Sequence, residues 1–331
     1  MGASPQYRVL ITDRAWPNLD IERRVLAEAD AVPIDAPSSD EATLVELARD
    51  VDAIATCWAK VTPAVILAAA RCRVIARFGI GLDNICLETA TARGIPVTCV
   101  PDYCVAEVAD HTLALLLACA RKVAFFHLRT KGGEYNLQNG PSLRRISGQK
   151  LGLVGFGRIA RSLYPKAKAL GLEVLACSSS GDPHGTECRM VTLEQLLGES
   201  DYVSLHLPLN DRTRQLIGWP ELQRMKTSAY LINTSRGAIV DSRALARALE
   251  NGEIAGAALD VFDPEPPELA DPLYRNERVI VTPHAAFLSE ESLSELRLRT
   301  STQIVHVLQG RRPEHVANAQ VYGNPPQMSG F

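Results

Sequence analysis

No long run of one charge, no Cys-x-x-Cys pair and no apolar stretch of membrane-spanning length occurs in this 331-residue chain. Each absence removes a class of function. Lys and Arg number 35 against 38 Asp and Glu, for a formal charge of -3. With no block of either sign, the electrostatic footprint of a nucleic-acid or anionic-membrane binder is missing, and neither partner is expected. A small anionic substrate stays compatible, because local charge decides that. The eight cysteines (Cys57, Cys72, Cys86, Cys99, Cys104, Cys119, Cys177, Cys188) lie mostly in apolar stretches without metal or redox spacing. They read as reduced core thiols, and no metal is expected. The apolar run from Leu113 to Ala120 is far too short to span a bilayer. The start, MGASPQYRVLITD, has no apolar core behind a basic segment and carries Gln6 where a myristoylation signal places Ser or Thr. Cytoplasm is the expected location.

What is present is βα alternation, twice over. The length exceeds one ordinary domain, and 46% hydrophobic residues can fill two cores. Short apolar runs at Arg8 to Ile11, Val51 to Ala55, Arg73 to Ala76 and Pro96 to Val100 alternate with helical patterns at Ile21 to Ala29, Glu41 to Ala48 and Pro63 to Ala70. That is the signature of a parallel α/β unit. A long amphipathic helix is expected from Val105 to about Thr130, followed by a polar, Gly-rich connection from Gly132 to Gly148. From Lys150 the alternation restarts, with strands expected near Leu151 to Gly155, Glu173 to Cys177, Tyr202 to Leu205, Ala229 to Asn233, Gly256 to Val261 and Arg278 to Val281. Six parallel strands make a doubly wound sheet. A last helix, about Ser289 to Gln309, carries a helical apolar stripe and is expected to return the chain to the first domain. The closing GNPPQMSGF reads as a flexible tail.

The restart begins with a dinucleotide fingerprint. An apolar strand runs into Gly155, Phe156 and Gly157 and then a helix opening at Arg158 and Ile159. Gly155 permits a tight turn, Gly157 lets backbone approach a pyrophosphate, and the helix N-terminus offers N–H groups to its charge. Ala160 replaces the third glycine with another small residue. The acid expected at the end of the second strand is missing, and Ser178, Ser179 and Ser180 stand there. A carboxylate at that place binds the ribose 2'-hydroxyl and repels a 2'-phosphate. No Arg follows within several residues to hold a phosphate, Arg189 being remote in sequence. The cofactor is therefore NAD or NADP, with weak discrimination expected.

Three further strand ends carry chemistry. In AYLINTSRG, GAALDVFDPEP and RVIVTPHAA, a cation (Arg236), a carboxylate (Glu265) and an imidazole (His284) each follow a short apolar run. In an open parallel sheet those ends are where ligands bind. Arg presents a planar fork that matches a carboxylate and stays charged at any working pH. An imidazole facing a carboxylate holds its proton more firmly, so it can donate to a carbonyl oxygen as hydride arrives and accept in reverse.

With these motifs the chain resembles the D-isomer-specific 2-hydroxyacid dehydrogenase family over nearly its whole length. The matching stretches are RFGIGLDNI (77–85), VADHTLALLLACAR (108–121), GLVGFGRIA (152–160), SLHLPLNDRTRQLIG (204–218), LINTSRGAIVD (231–241), ALDVFDPEPP (258–267) and VTPHAA (281–286). Through TCWAKVTPAVI (56–66) and VPDYCVAEVAD (100–110) it is most similar to the C-terminal-binding-protein-like branch. The resemblance implies a Rossmann-type NAD(P)-binding domain at 101–288 and a flavodoxin-like substrate domain made of 1–100 and 289–331. It implies that Arg236 binds the substrate carboxylate and 2-oxo group, that His284 is the acid/base and that Glu265 is its partner. Asp260 would receive the nicotinamide amide, with Val108, His206, Pro208, Thr213 and Thr234 lining the cofactor; His206 reads as a packed strand-end residue rather than a second acid/base.

Gly79, Ile80 and Gly81 form a second backbone-exposing loop, and the resemblance makes the Ile80 and Gly81 N–H groups partners of the substrate carboxylate. Trp58, beside Cys57, and Tyr103 fall where the pocket for the substrate side chain is expected, although Trp58 could equally be core. Thr56 stands where phosphoglycerate-specific relatives carry an Arg, which disfavours a phosphorylated substrate. Asp110 shortens a carboxylate where many relatives carry Glu. The expected activity is hydride transfer between a nicotinamide and a D-2-hydroxyacid/2-oxoacid pair, in a homodimer joined through the Val105 helix and the 132–148 segment. The alternative is a dinucleotide-sensing, corepressor-like binding protein with little turnover. The Ser178 to Ser180 strand end predicts comparable kcat/KM with NADH and NADPH, read from parallel initial rates; a preference on the order of a thousandfold either way would contradict it.

Overall fold

The computed structural model describes residues 6–138 and 140–323, so the expected tail beyond Gly323 lies outside the described residues. The chain divides into two compact units, one running to Tyr103 and resuming at Ser289, the other Cys104–Leu288.

In the first unit the chain forms β1 (Tyr7–Ile11), α1 (Asp20–Leu26), β2 (Ala31–Asp35), α2 (Glu41–Ala48), β3 (Ala53–Thr56), α3 (Pro63–Ala68), β4 (Val74–Arg77), α4 (Leu87–Ala92) and β5 (Val97–Thr98). All pairings are parallel, in the order β2-β1-β3-β4-β5, the flavodoxin-like doubly wound order. Leu10, Ile54, Ile75 and Val97 pack with Leu44, Val65 and Ile66 in a dry core. Helix starts are written locally. Asp40 caps α2 by accepting from Thr43 N, and Thr62 caps α3 by accepting from Val65 N with Pro63 at the first turn. Strand β2 was not among the strands expected from the apolar pattern. Its sequence, AVPID, is broken by Pro33, which an edge strand tolerates because one side of its ladder has no partner.

The second unit runs α5 (Val105–Arg121), α6 (Val123–Lys131), β6 (Lys150–Val154), α7 (Arg158–Ala169), β7 (Glu173–Cys177), β8 (Arg189–Met190), α8 (Leu193–Glu199), β9 (Tyr202–Leu205), α9 (Trp219–Arg224), β10 (Tyr230–Asn233), α10 (Ser242–Glu250), β11 (Gly256–Leu259), α11 (Pro272–Arg275) and β12 (Val279–Val281). The order β12-β11-β10-β9-β6-β7-β8 is parallel throughout, the Rossmann order with one strand added. Cores lie on both faces of the sheet. One is built around Leu196, Leu222, Leu245 and Leu249, the other around Leu115, Leu116, Leu163 and Leu172.

Two sequence expectations change here. The sheet has a seventh strand, β8, whose two residues are too few to show a period. The single long helix is two helices bent by 66°, because Lys122 adopts φ 56° and ends the α5 ladder. Its ammonium lies 4.2 Å from the Tyr230 ring centre, where burial lowers its pKa. Among the described residues no single helix is long and apolar enough to cross a membrane; α5 and α6 pass that test only as a bent pair.

The last helix, α12 (Glu290–Leu308), starts at the Ser289 cap and packs on α1 and β4 of the first unit. Arg297 makes a two-pronged ion pair with the buried Glu22 at 2.7 and 2.8 Å, and its guanidinium lies 5.2 Å from the Trp16 ring centre. Removing one partner strands a buried charge. Arg297→Met is therefore expected to cost about 3–5 kcal/mol of unfolding free energy in urea denaturation, most of it recovered when Glu22→Met is added. A loss below about 1 kcal/mol would place this pair with ordinary surface bridges.

Candidate active site

Strand β6 ends in a turn that only glycine fits. Gly155 has φ 93°, and a Cβ there would lie 2.2 Å from the His206 carbonyl oxygen. Its N–H donates to Cys177 O at 2.8 Å, tying the turn to the end of β7. Gly157, at φ -78°, is the N-cap of α7 and brings no capping side chain, so the first-turn N–H groups face outward chemistry rather than a cap. A cradle that a Cβ would fill, opening onto an uncapped helix start, fits a dinucleotide pyrophosphate. The Phe156 side chain is buried against Tyr164, so backbone alone is offered there. Ala160 is fully buried where α7 packs on the sheet.

At the end of β7, Ser178 Oγ accepts from Gly181 N and lies 3.3 Å from Ser180 Oγ, while Ser179 is exposed. Arg189 is engaged in a two-pronged pair with Glu199 at 2.9 and 3.0 Å. His206 lies 2.9 Å from Ser204 Oγ, and burial pushes its pKa down to about 4. It is a neutral, packed imidazole at working pH. Thr213 closes the following loop by donating to Pro208 O at 2.6 Å and accepting from Asn210 N. Thr234 Oγ1 lies 2.9 Å from Thr112 Oγ1, which donates to the carbonyl of the buried Val108.

The three strand-end loops are joined through backbone. Asn233 clamps its own turn, accepting from Ser235 N and donating to Arg236 O, and Arg236 donates Nη1–H to Ser235 O. Gly237 lies so close to the next loop that a Cβ would sit 2.0 Å from the Phe262 carbonyl carbon. Phe262 N in turn donates to Glu265 Oε1 at 2.8 Å, and Glu265 Oε2 lies 2.8 Å from His284 Nδ1. The carboxylate fixes Nδ1 as the donor and so orients the ring.

Asp260, with none of its side chain exposed, anchors the His284 turn. Its carboxylate accepts from Thr282 Oγ1 (2.5 Å), Ala285 N and Ala286 N (both 2.9 Å), and its carbonyl accepts from His284 N (2.8 Å). Burial pushes the Asp260 carboxyl upward, but bonds from His111, Thr282, Ala285 and Ala286 outweigh it and hold the pKa below the ordinary carboxylate value.

In the first unit, the Gly79 to Gly81 loop rests on Arg77, which the sequence reading passed over. Its buried guanidinium donates to Gly81 O at 3.0 Å and to Phe78 O, and a Cβ at Gly79 would lie 2.8 Å from it. Asp13 was also missed. It accepts from Cys57 N (2.9 Å) and Trp58 N (2.6 Å), shaping the loop after β3. Trp58 is 40% exposed, which rules out the core reading, whereas Tyr103 is buried. Burial pushes the Cys57 thiol up to about 12, so it is no nucleophile. The signal for Asp13 was available, since it follows an apolar run as Arg236 does. Arg77 and His111 lie inside the RFGIGLDNI and VADHTLALLLACAR stretches without a feature that marks them.

A parallel sheet of Rossmann order, a pyrophosphate-fitting glycine turn and an Arg loop packed against a His–Glu pair define a nicotinamide-dependent oxidoreductase acting on CH–OH groups. Residues 113–286 match the NAD-binding domain of the D-isomer specific 2-hydroxyacid dehydrogenases, and the chain belongs to that family. It is similar to the glyoxylate reductase of Korarchaeum cryptofilum, 37% identical over 303 residues that cover 89% of this chain and 90% of that protein. It is 34% identical to the D-3-phosphoglycerate dehydrogenase of Methanocaldococcus jannaschii over 94% of this chain and 59% of that longer protein. Among solved structures, the D-lactate dehydrogenase of Aquifex aeolicus complexed with NAD and lactic acid matches with a TM-score of 0.82 at 27% identity, over 97% of this chain and all of that one.

Because Gly237 admits no side chain against Phe262, Gly237→Ala is expected to push the Arg236 and Glu265 loops apart. Turnover should fall by on the order of a hundredfold while the purified protein keeps a cooperative melt. Wild-type rates would show that the two loops need not touch.

Proposed function

We propose that this chain is a 2-oxoacid reductase, working reversibly as a D-2-hydroxyacid dehydrogenase on a small unphosphorylated acid such as glyoxylate or hydroxypyruvate. The observation that carries this reading is the 2.8 Å His284–Glu265 contact beside the Arg236 loop. Arg236 takes the substrate carboxylate and 2-oxo oxygen through its planar fork. The Ile80 and Gly81 N–H groups are a second carboxylate partner, supported by the Arg77 guanidinium that draws the carbonyls of Phe78 and Gly81 to itself. His284 Nε2 delivers a proton to the carbonyl oxygen as carbon 2 is reduced, and Glu265 stabilises the imidazolium beforehand. A reduced nicotinamide dinucleotide, its pyrophosphate at the Gly155 turn, would supply the hydride when bound.

The cofactor would be held by Gly155, Phe156, Gly157, Arg158 and Ile159, with Ser178 and Ser179 as candidates for the ribose and Val108, His206, Pro208, Thr213, Thr234 and Asp260 as further lining residues. Trp58 and Tyr103 are the proposed contacts of the substrate side chain. Thr56 is buried with its hydroxyl on Ala59 O, so the side chain at that position offers no charge to a phosphate; this supports an unphosphorylated substrate despite the phosphoglycerate dehydrogenase relative. The corepressor-like branch rests on two local motifs, and the relatives reported above carry enzyme names. A homodimer is supported by the exposed apolar side chains of Val123, Leu128, Tyr135 and Leu137 on α6 and the loop after it, and cytoplasm is the proposed location.

The assay is loss of reduced-nicotinamide absorbance with NADH or NADPH and a panel running from glyoxylate, pyruvate and hydroxypyruvate to aromatic and branched 2-oxoacids. His284→Asn is expected to lower the turnover number by at least about a hundredfold. Undiminished turnover in that variant contradicts the acid/base assignment, and tight cofactor binding without turnover across the panel favours the binding-protein reading.

A further inference from the structure

We propose that His111 is a positioning residue for the acid/base turn, acting through Thr282 and Asp260. The proposal rests on the reading of His284 as the acid/base.

His111 sits on α5, about a quarter exposed, with Nε2 3.0 Å from Thr282 Oγ1 and 3.5 Å from the Asp260 carboxylate. Threonine has a single hydroxyl proton, and in Thr282 it is committed to Asp260 Oδ1 at 2.5 Å. The oxygen of Thr282 can therefore only accept from His111, which sets the Nε2–H tautomer. A directed chain results, from His111 Nε2–H to Thr282 Oγ1–H to the Asp260 carboxylate.

That carboxylate is the anchor of the turn. Its Oδ1 also accepts from Ala285 N, its Oδ2 accepts from Ala286 N, and the Asp260 carbonyl accepts from His284 N. Three consecutive N–H groups thus end on one residue. They are needed because His284 holds φ 52°, the left-handed region that a side-chain-bearing residue enters only when its surroundings enforce it. Hydrogen bonds in such a chain polarise one another, so the bond from His111 strengthens the one from Thr282 to the carboxylate and holds that carboxylate in place for the turn. The neighbouring helix residue does the equivalent for the other loop: Thr112 Oγ1 lies 2.9 Å from Thr234 Oγ1, two residues before Arg236. Adjacent side chains of α5 brace the loop that carries the cation and the turn that carries the imidazole.

His111 touches no reacting atom in this account. Its removal should leave the Arg236 loop intact while letting the Asp260 carboxylate and the His284 turn relax, which lowers kcat more than it raises the KM of the oxo acid.

The test is a double-mutant cycle in the full-length protein with NADH and the best oxo acid of the panel. His111→Leu is expected to lower kcat by about tenfold with KM for the oxo acid changed by less than about threefold. His111→Leu combined with Thr282→Val should be no worse than Thr282→Val alone, because both cut the same chain. His111→Gln, whose amide can still donate to Thr282, should recover most of the lost turnover. The same non-additivity is expected in the NADH dissociation constant from nicotinamide fluorescence, a readout independent of turnover. Additive effects of the two substitutions, or an unchanged kcat in His111→Leu, overturn the proposal. If His284→Asn is crippled while the cycle is additive, the proposal fails alone; if His284→Asn is fully active, the acid/base reading fails first.

Discussion

A buried carboxylate holds the candidate site together. Asp260 follows β11 with no exposed side-chain surface, a placement that costs several kcal/mol unless every lone pair is answered. Its answers come from Thr282 at the end of β12 and from the N–H groups of Ala285 and Ala286, while its own N–H donates to Asn233 O at the end of β10. Three parallel strand ends therefore meet on one residue. With that knot in place, Phe262, two residues further on, meets Gly237, and Glu265 comes within hydrogen-bonding distance of His284.

The second unit shows how the fold makes room for a cofactor. In the Rossmann order, β6 lies between β7 and β9, and the chain leaves its carboxyl end toward a helix whose N-terminus has no capping side chain. Gly155 permits the turn and the near approach of the His206 carbonyl, so the residue that shapes the cradle also ties it to the neighbouring strand end. His206, kept neutral by burial, contributes form rather than charge. In the first unit, cations and carboxylates are likewise spent on shape: Arg77 gathers the carbonyls of the Gly79 to Gly81 loop, and Asp13 collects the N–H groups of Cys57 and Trp58.

Legibility in the sequence followed length and periodicity. Strands β6, β7, β9, β10 and β11 stood out as apolar runs, because a strand buried on both faces needs nothing but apolar residues. Strand β2 has Pro33 in its middle and β8 has two residues, so neither carries a pattern long enough to read. The bend at Lys122 was invisible because helix-forming residues continue across it without a Gly or Pro and the break is one residue's φ. Arg236, Glu265 and His284 were legible as polar residues placed just after apolar runs. His111 and Arg77 were not, since a His on a helix or an Arg at a strand end is ordinary until its partners, distant in sequence, are known.

Periodicity, glycine placement and the order of motifs were enough to specify two parallel α/β units, the glycine turn after β6 and the candidate residues Arg236, Glu265 and His284 at strand ends, since each depends on local geometry that recurs wherever the pattern does. The pairing of His284 with Glu265, the burial of Asp260 and the exposure of Trp58 could be known only once the chain had folded. They depend on which strand ends lie side by side, and that order, β12-β11-β10-β9-β6, is set by packing between segments tens of residues apart rather than by any neighbour in sequence.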